Sequence, residues 1–371
     1  MRTILRLLTI LSLFITISAH TSEAQAQDES GQDVLRVSVE EVRIPVAAYD
    51  AAGRFDPTLS VADLLVREDG VSQQVTGVYR VPAHVLLLAD TGGELNPLKT
   101  ARLTGEVAAG LVGALRPGDS IALMQVSSRA ELMQSWTRDL PEVAKTLRTK
   151  LLSGKRSALA EGLVRADEYL QKVPTGNRHL VIISDGLDSG GGPFKFDQAL
   201  KRIAASGVTV HVISYTTLGL KAKRPPATRP REKNSVPEEG IMSIPHSDRN
   251  PTDQVPDMRG MMEAKGGGVI DLDRLFRRGG ALKKELALRE AEFGELTAET
   301  GGGLWLPSTA DEMLRQASEV AREIDSRYLV TYKPRRTLAD AKAGEYRKLD
   351  VLARRQGLTV RTWRGYVAKL P

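Results

Sequence analysis

The sequence predicts an α/β fold in which a doubly wound, mostly parallel sheet is inserted in a β-sandwich formed by the N- and C-terminal strands. Two observations lead to this prediction. Short strand patterns fill both ends of the chain, in residues 35–81 and 328–371. Between them, residues 83–326 alternate apolar strands with helical patterns, which is typical of a parallel sheet covered on both faces. The two terminal β segments are therefore expected to pack together.

The N-terminal β segment is predicted from alternation and turns. Valine and isoleucine alternate with polar residues over 37–46, and the turns at 50–53 and 68–70 separate further strands. The α/β domain then begins with the apolar strand 84–90. The strands 120–127 and 130–136 are so close in sequence that they must be antiparallel neighbours.

The remaining elements follow from hydrophobic periodicity and from helix stop signals. Helices are predicted over residues 98–115, 141–152, 158–171, 196–206, 281–300 and 310–326. Further strands are predicted over residues 179–186, 208–215, 328–334, 346–355 and 358–367.

Two polar segments are predicted to lack a core. Residues 27–34 form a flexible leader without periodicity. Within residues 217–280, the stretch 221–260 holds seven of the 18 prolines and few apolar residues. Such a stretch cannot bury a core, so the segment is predicted to be a largely disordered insertion in the α/β domain.

The start of the chain, residues 1–26, has the pattern of a secretory signal peptide. Arg2 and Arg6 precede an apolar run over 7–19, and a small-residue cleavage pattern ends at Ala26. The alternative is a membrane anchor, but this run is shorter than the roughly 20 residues that a spanning helix needs. We therefore expect an exported protein, periplasmic or secreted, without a membrane span in its mature chain.

Composition narrows the function classes. The 371 residues are 41% hydrophobic and 26% charged, which excludes a fully disordered, collagenous or multi-span membrane chain. The chain has no cysteine, so it forms no disulfide, no thiol nucleophile and no cysteine-ligated metal site. The formal net charge of +6 is small for this length and does not indicate a nucleic-acid partner.

Carboxylates follow two of the buried strands at the point where each strand ends. Asp90 ends the run HVLLLAD, and Asp185 ends the second apolar strand, in the run HLVIISDG. In an open parallel sheet, the carboxyl ends of the strands form the ligand crevice. Ser157, in a turn before a predicted helix, adds a hydroxyl. Two carboxylates and a hydroxyl are suitable oxygen ligands for a hard divalent cation.

These residues, in this order and at this spacing, resemble the metal-ion-dependent adhesion site of von Willebrand factor A domains. The flanking segments resemble the acidobacterial-type "VWFA-related" family, so that the likeness extends from about Val37 to Tyr366. Those segments are VRIPVAAYDAAGRF, REDGVSQQV, ELTAETGGGLW, EIDSRYLVTYKP and WRGYV. The resemblance implies a doubly wound sheet and a metal bound by Asp-x-Ser-x-Ser, a threonine and a second aspartate.

Residue by residue, the resemblance implies a metal site that departs from the family pattern. Asp90 stands for the first aspartate, Ser157 for the threonine and Asp185 for the second aspartate. Gly92 and Glu94 stand at the two serines, and only Glu94 offers a side-chain oxygen. The implied ligands are therefore Asp90, Glu94, Ser157 and Asp185, with Ca²⁺ favoured over Mg²⁺ because Ca²⁺ accepts more ligands and a looser geometry. In the alternative, metal-free interpretation, Asp90 caps the next helix and Asp185 accepts hydrogen bonds from loop amides.

The same end of the sheet is the predicted contact face for an unknown protein or glycan partner. Thr91 directly follows Asp90, Arg156 directly precedes Ser157, and both are predicted to contact the partner. We also consider the hypothesis that the Arg156 guanidinium occupies the cation position by pairing with Glu94.

The predicted function is an exported, non-catalytic binding or adhesion module, and two alternatives stay open. One is a metal-independent structural scaffold with the same fold. The other is a hydrolase that uses Asp90 and Asp185. The residues 184–186 lack the nucleophile elbow of a serine hydrolase. His84, His179 and His211 lie in buried strands, where a hydrogen-bonded core imidazole is the usual state.

Overall fold

The computed structural model describes residues 40–93, 98–174, 176–221, 272–342 and 344–368. The predicted signal peptide and leader, Glu94 and most of the predicted insertion lie outside these ranges. The described residues form a seven-stranded antiparallel sheet and a six-stranded mixed sheet. No helix within the described ranges is long and apolar enough to cross a membrane.

The first three strands belong to the antiparallel sheet. They are β1 (Val42–Tyr49), β2 (Leu64–Glu68) and β3 (Val71–Tyr79). Asp69 and Gly70 join β2 to β3 with φ angles of 48° and 81°. A two-residue hairpin turn of this kind needs positive φ at both positions, which explains why an Asp-Gly pair stands there.

The chain then builds the mixed sheet, whose strand order is β6-β5-β4-β7-β8-β9. Its strands are β4 (His84–Asp90), β5 (Ser120–Val126), β6 (Ala130–Thr137), β7 (Arg178–Ser184), β8 (Thr209–Ser214) and β9 (Leu304–Trp305). All neighbours are parallel except β5 and β6, which are antiparallel as predicted. β4 lies between β5 and β7 and is covered on both faces, so its run of apolar residues has no polar alternates.

Helices cover both faces of the mixed sheet, which confirms the predicted α/β arrangement. They are α1 (Ala101–Gly113), α2 (Leu140–Thr149), α3 (Leu159–Leu170), α4 (Phe196–Ala204), α5 (Thr216–Lys221), α6 (Leu272–Glu299) and α7 (Ala310–Asp325). α1, α2 and α7 pack on one face, and α3, α4 and α6 pack on the other. Helices occupy both ends of the predicted insertion, since α5 covers its first residues and α6 begins at Leu272 rather than near Ala281. The residues between them lie outside the described ranges, so the insertion stays a prediction there.

The last four strands return to the antiparallel sheet. They are β10 (Arg327–Lys333), β11 (Tyr346–Ala353), β12 (Thr359–Thr362) and β13 (Gly365–Val367). The strand order is β12-β1-β10-β3-β2-β11-β13, so the two C-terminal strands lie at opposite edges.

The N- and C-terminal strands form one seven-stranded antiparallel sheet, which does not by itself confirm the predicted β-sandwich. Only Trp363 and Arg364 separate β12, which pairs with β1, from β13, which pairs with β11. One bent segment therefore pairs with β1 through its first half and with β11 through its second half, and each half is an edge strand of the described sheet. The sheet encloses a single apolar core, which includes Ile44, Val66, Val330, Tyr332 and Trp363.

Candidate functional site

Two strand ends and a helix start bring the predicted site residues together. Asp90 ends β4, Asp185 directly follows the neighbouring β7, and Ser157 precedes α3. All three side chains are buried, with 0% of Asp90 and Asp185 and 1% of Ser157 exposed. The Ser157 hydroxyl donates to Asp90 Oδ1 at 3.1 Å. The structure thus joins residues that lie far apart in sequence.

A lysine lies at the centre of this site. Lys99 Nζ is 2.8 Å from Asp90 Oδ2 and 2.8 Å from Asp185 Oδ1. Lys99 belongs to the loop between β4 and α1, directly before Thr100, whose hydroxyl caps α1. Its side chain is fully buried. The ammonium therefore binds both carboxylates in a place closed to bulk water. Ion pairs there are strong, and the loss of one partner is strongly destabilising because it leaves an uncompensated buried charge.

Hydroxyl and amide groups supply further contacts to the carboxylates. Asp90 accepts hydrogen bonds from the Gly92 amide at 3.1 Å and from the Ser184 hydroxyl at 2.6 Å. Asp185 Oδ1 accepts from the Leu187 amide at 3.0 Å. Asp185 Oδ2, in contrast, is buried and has no hydrogen-bond partner among the described residues. One acceptor of the site is therefore left unused.

Burial and charge shift the pKa values in this cluster. Burial alone would lower the pKa of Lys99, but the charges of Asp90 and Asp185 raise it above the ordinary lysine value. Burial raises the pKa of Asp185 to about 6, against the lowering influence of Lys99. At neutral pH the lysine is charged, and Asp185 is ionised only above about pH 6.

The residues present do not fit the divalent cation that the family resemblance implies. The Lys99 ammonium holds the space between Asp90 and Asp185. At Gly92, the position of the first serine ligand, an added Cβ would overlap the carbonyl oxygen of Arg156. Among the residues that the structure describes, no cluster of three or more histidine, aspartate or glutamate side chains could hold a metal ion. The fourth implied ligand, Glu94, lies outside those residues.

Arg156 and Thr91 do not take their predicted places. Arg156 Nη2 donates to the Gly190 carbonyl at 2.8 Å, so Lys99 and not Arg156 holds the cation position. The hypothesis that the Arg156 guanidinium occupies the cation position is wrong, because its side chain turns towards the glycine loop that follows β7. The predicted contact of Arg156 with a partner stays a prediction. Thr91 is fully buried, and its hydroxyl donates to the Leu152 carbonyl at 2.8 Å. It cannot contact a partner, so that prediction is also corrected.

Sequence reasoning missed Lys99, although a weak signal was present. The residue lies nine positions after Asp90, in a loop that has lost a serine ligand at Gly92. Glycine at a position where the family has a metal-binding serine, together with a lysine in the same loop, is the sign in this sequence that a side chain replaces the metal ion. The sequence does not distinguish Lys99 from Arg156, because the path of the loop decides which cation reaches the carboxylates.

A pocket of about 340 Å³ opens beside the buried cluster. It is lined by Arg156, Ser157, Glu161, Asp188, Phe194 and the glycines 190–192, among others. The Asp188 carboxylate accepts hydrogen bonds from the backbone amides of Ala160 in α3 and of Gly190. Glu161 forms an ion pair with Arg165 at 2.7 Å. Phe194 is 39% exposed. The pocket therefore presents a guanidinium and an aromatic ring at the surface.

The buried histidines form a separate core pair. His179 and His211 are fully buried, with ring nitrogens 3.1 Å apart, and His179 Nε2 lies 2.8 Å from Asn177 Oδ1. Burial lowers the pKa of both histidines well below the ordinary value, so both rings are neutral at pH 7. His84 bonds the Ser120 hydroxyl at 2.6 Å. The contacts of His179 and His211 match the predicted role of core imidazoles, whereas His84 at the start of β4 is half-buried.

Three solved structures are similar to parts of this chain. BatB, a conserved hypothetical protein from Bacteroides thetaiotaomicron, is 18% identical over 36% of this chain and 66% of its own, with a TM-score of 0.30. A von Willebrand factor type A structure from Catenulispora acidiphila is 12% identical over 48% of this chain and 42% of its own, with a TM-score of 0.32. The vWF domain of the type V pili tip protein Mfa5 from Porphyromonas gingivalis is 24% identical over 29% of this chain and 39% of its own, with a TM-score of 0.26. The chain thus spans about two thirds of BatB and less than half of the other two structures.

The family comparison is more direct. None of the curated proteins matches this chain. The family model for the von Willebrand factor type A domain matches residues 85–187. The match runs from β4 to the loop after β7 and includes both Asp90 and Asp185. This chain therefore contains a von Willebrand factor type A domain.

Proposed function

We propose that the protein is an exported, non-catalytic binding module whose von Willebrand A domain contacts a protein or glycan partner without a divalent cation. One observation carries the proposal: Lys99 Nζ lies 2.8 Å from a carboxylate oxygen of both Asp90 and Asp185. The chain's own ammonium thus supplies the positive charge that an ion would bring. The signal-peptide pattern in residues 1–26 supports export.

The closed state of the site argues against the hydrolase alternative. A general acid or base must come within hydrogen-bond reach of the substrate or of a water that attacks it. Asp90 and Asp185 are both 0% exposed and are bound to Lys99. A substrate could reach them only after the buried ion pairs had broken, which is costly in a site closed to water.

The contact face is proposed at the surface loops around the closed site. Arg156 and Phe194 line the pocket there, and Leu152, whose carbonyl holds Thr91, is 73% exposed. Arginine and aromatic side chains carry much of the binding energy in protein interfaces. These surface residues take the place of Thr91, which is buried.

A metal-independent structural scaffold is the second candidate. The closed site also favours the scaffold, because a domain without an exposed metal ion cannot use that ion to bind an acidic group of a partner. In a scaffold, the partner contacts would lie on other surfaces. The two candidates therefore differ in whether the loops around Arg156 and Phe194 matter for binding.

Affinity capture from an extract of the source organism, with matched variants, tests this difference. The variant Arg156→Ala/Phe194→Ala removes the guanidinium and the ring from the pocket. The control Arg67→Ala/Tyr79→Ala removes an exposed arginine and an exposed aromatic ring from the antiparallel sheet. If the protein is a binding module, we expect the wild type and the control variant to capture the same partner in the presence of EDTA.

Three outcomes separate the candidates. Loss of that partner by at least about tenfold in the pocket variant supports the binding module, since two interface residues of this kind carry on the order of 2 kcal/mol or more. Equal retention by both variants favours the scaffold. A partner that binds only when Ca²⁺ or Mg²⁺ is added contradicts the metal-independent proposal.

A further inference from the structure

We infer that Lys99 is a built-in substitute for a divalent cation, and that removing its ammonium opens a metal site between Asp90 and Asp185. This inference rests on the proposed function for the place of Lys99 and extends it to a latent site, which does not require a partner. It predicts a gain of ion binding in a variant, and not only a loss of stability.

The first support is the geometry of the oxygen atoms. The Lys99 ammonium lies 2.8 Å from one oxygen of each carboxylate. The hydroxyls of Ser157 and Ser184 lie 3.1 Å and 2.6 Å from the oxygens of Asp90. Four oxygen-bearing side chains therefore surround the ammonium or its immediate partners. Carboxylate and hydroxyl oxygens, completed by waters, are the ligands of Mg²⁺ and Ca²⁺.

The second support is the unused acceptor. Asp185 Oδ2 is buried and finds no hydrogen-bond partner among the described residues. A lysine ammonium has three donors, and two of them are directed at Asp90 and Asp185 Oδ1. A divalent cation takes six or more oxygens, so it can use an acceptor that the lysine leaves unpaired.

The third support is charge. Two ionised carboxylates around one ammonium leave the cluster with one net negative charge. A divalent cation in the same place balances both carboxylates. Because uncompensated charge in a buried site is costly, the cluster without its lysine has a strong preference for a doubly charged ion.

The space for an ion is also available once the lysine is shortened. Gly93 has a φ of 98°, and a Cβ built on it would lie 3.6 Å from Lys99 Nζ and 3.5 Å from the Ser157 Cβ. The loop backbone thus passes directly beside the ammonium without a side chain of its own. Truncation of Lys99 to alanine leaves a polar cavity between Gly93, Asp90 and Asp185, which can admit an ion with its waters.

Thermal unfolding of three full-length proteins tests the inference. Wild type, Lys99→Ala and Lys99→Met are melted in EDTA and then in millimolar Mg²⁺, Ca²⁺ or Mn²⁺. We expect the midpoint of Lys99→Ala to rise by about 5 °C or more with at least one ion, as linkage requires for an ion well above its Kd. Lys99→Met fills the same space with an uncharged side chain, so it and the wild type are expected to shift by less than about 1 °C.

A second variant keeps the test decisive if Lys99→Ala is unstable without ions. Lys99→Ala/Asp185→Asn retains one carboxylate and is expected to fold and to show no ion response. If Lys99→Ala folds only when an ion is present, the inference is supported. If it ignores all three ions, or stays unfolded in them while the double variant folds, the inference is overturned.

The outcomes also separate this inference from the proposed function. A wild type that responds to ions would contradict both, because Lys99 would then not replace the cation. An unresponsive wild type with an unresponsive Lys99→Ala would contradict only the latent metal site. The capture of a partner in EDTA is independent of either melting result.

Discussion

Two buried charge clusters of this molecule differ in how completely the chain satisfies them. In the antiparallel sheet, Glu68 accepts from Arg347 Nη1 at 3.0 Å, from the Tyr332 hydroxyl at 2.7 Å and from the Tyr366 hydroxyl at 2.8 Å. In the von Willebrand A domain, Lys99 binds two aspartates, and one oxygen of Asp185 finds no hydrogen-bond partner in the part of the chain that the structure describes.

The remaining donors of Arg347 complete the first cluster. They reach the carbonyls of Arg336 and Thr337 at 2.8 Å each and the Glu345 carboxylate at 2.9 Å. One guanidinium is thus matched by carboxylates and carbonyls around it, as expected of a cluster that stabilises the fold. Glu345 also pairs with Arg336 at 3.0 Å, so Glu68 and Glu345 together face two guanidiniums. In the Lys99 cluster, the described residues place one ammonium against two buried carboxylates, and this excess of negative charge favours a doubly charged cation.

The largest expected effect is the loss of the lysine. In the absence of divalent ions, Lys99→Ala leaves two buried carboxylates facing each other and should lower the free energy of unfolding by about 4–5 kcal/mol. Urea unfolding in EDTA measures this loss. A loss below about 1 kcal/mol would mean that the carboxylates are not held by Lys99.

The matched change in the antiparallel sheet should be slightly smaller and insensitive to ions. Arg347→Met leaves one carboxylate, Glu68, which keeps the two tyrosine hydroxyls, so we expect a loss of about 3 kcal/mol. Urea unfolding with and without Mg²⁺ measures it. If Mg²⁺ restores Arg347→Met as well as it restores Lys99→Ala, the two clusters do not differ in the way described.

Restoring the family serine should not restore a metal site. Gly92→Ser places a Cβ against the Arg156 carbonyl oxygen, so we expect a loss of about 1–3 kcal/mol from overpacking. Thermal unfolding with and without Ca²⁺ checks both points. A Gly92→Ser protein that gains stability in Ca²⁺ would show that the missing hydroxyl, and not Lys99, excludes the ion.

The smallest expected effect is on pH dependence. Burial raises the pKa of Asp185 to about 6, while Lys99 lowers it, so Lys99→Met should raise it further. Because the raised pKa lies above the unfolded value of 3.8, ionisation of Asp185 removes stability as the pH rises through the folded pKa.

The higher pKa of Asp185 in Lys99→Met should change how the stability difference between this variant and the wild type depends on pH. The stability gap between Lys99→Met and the wild type should narrow as the pH falls towards 6, by about 1.4 kcal/mol per pH unit, and stay constant below that. Urea unfolding between neutral and mildly acidic pH measures the gap. A gap that widens on acidification would contradict the assigned role of Lys99.

The sequence was sufficient to predict the α/β domain and the meeting of its two aspartates. The uninterrupted apolar pattern of β4 and β7 is local, and parallel neighbours bring Asp90 and Asp185 to one edge of the sheet. The strand order of the antiparallel sheet was not predictable in this way. The bend at Trp363 divides one strand pattern into β12 and β13, and only tertiary pairing shows that they lie at opposite edges.

The sequence also does not show which basic side chain lies between Asp90 and Asp185. Lys99 and Arg156 are both basic residues in loops near the strand ends, and either side chain is long enough to reach a carboxylate. The Arg156 carbonyl lies so close to Gly92 that a side chain there would overlap it. The Arg156 guanidinium points elsewhere and donates to the Gly190 carbonyl. Such contacts depend on how two loops pack, which spacing along the chain does not encode.

A crystal structure of the wild type grown with millimolar Mn²⁺ tests the central claim most directly, since Mn²⁺ is located by its anomalous scattering. The account predicts the Lys99 ammonium within hydrogen-bond distance of Asp90 and Asp185, with no anomalous peak between them. A Mn²⁺ peak between the two carboxylates, with Lys99 turned away, would contradict it.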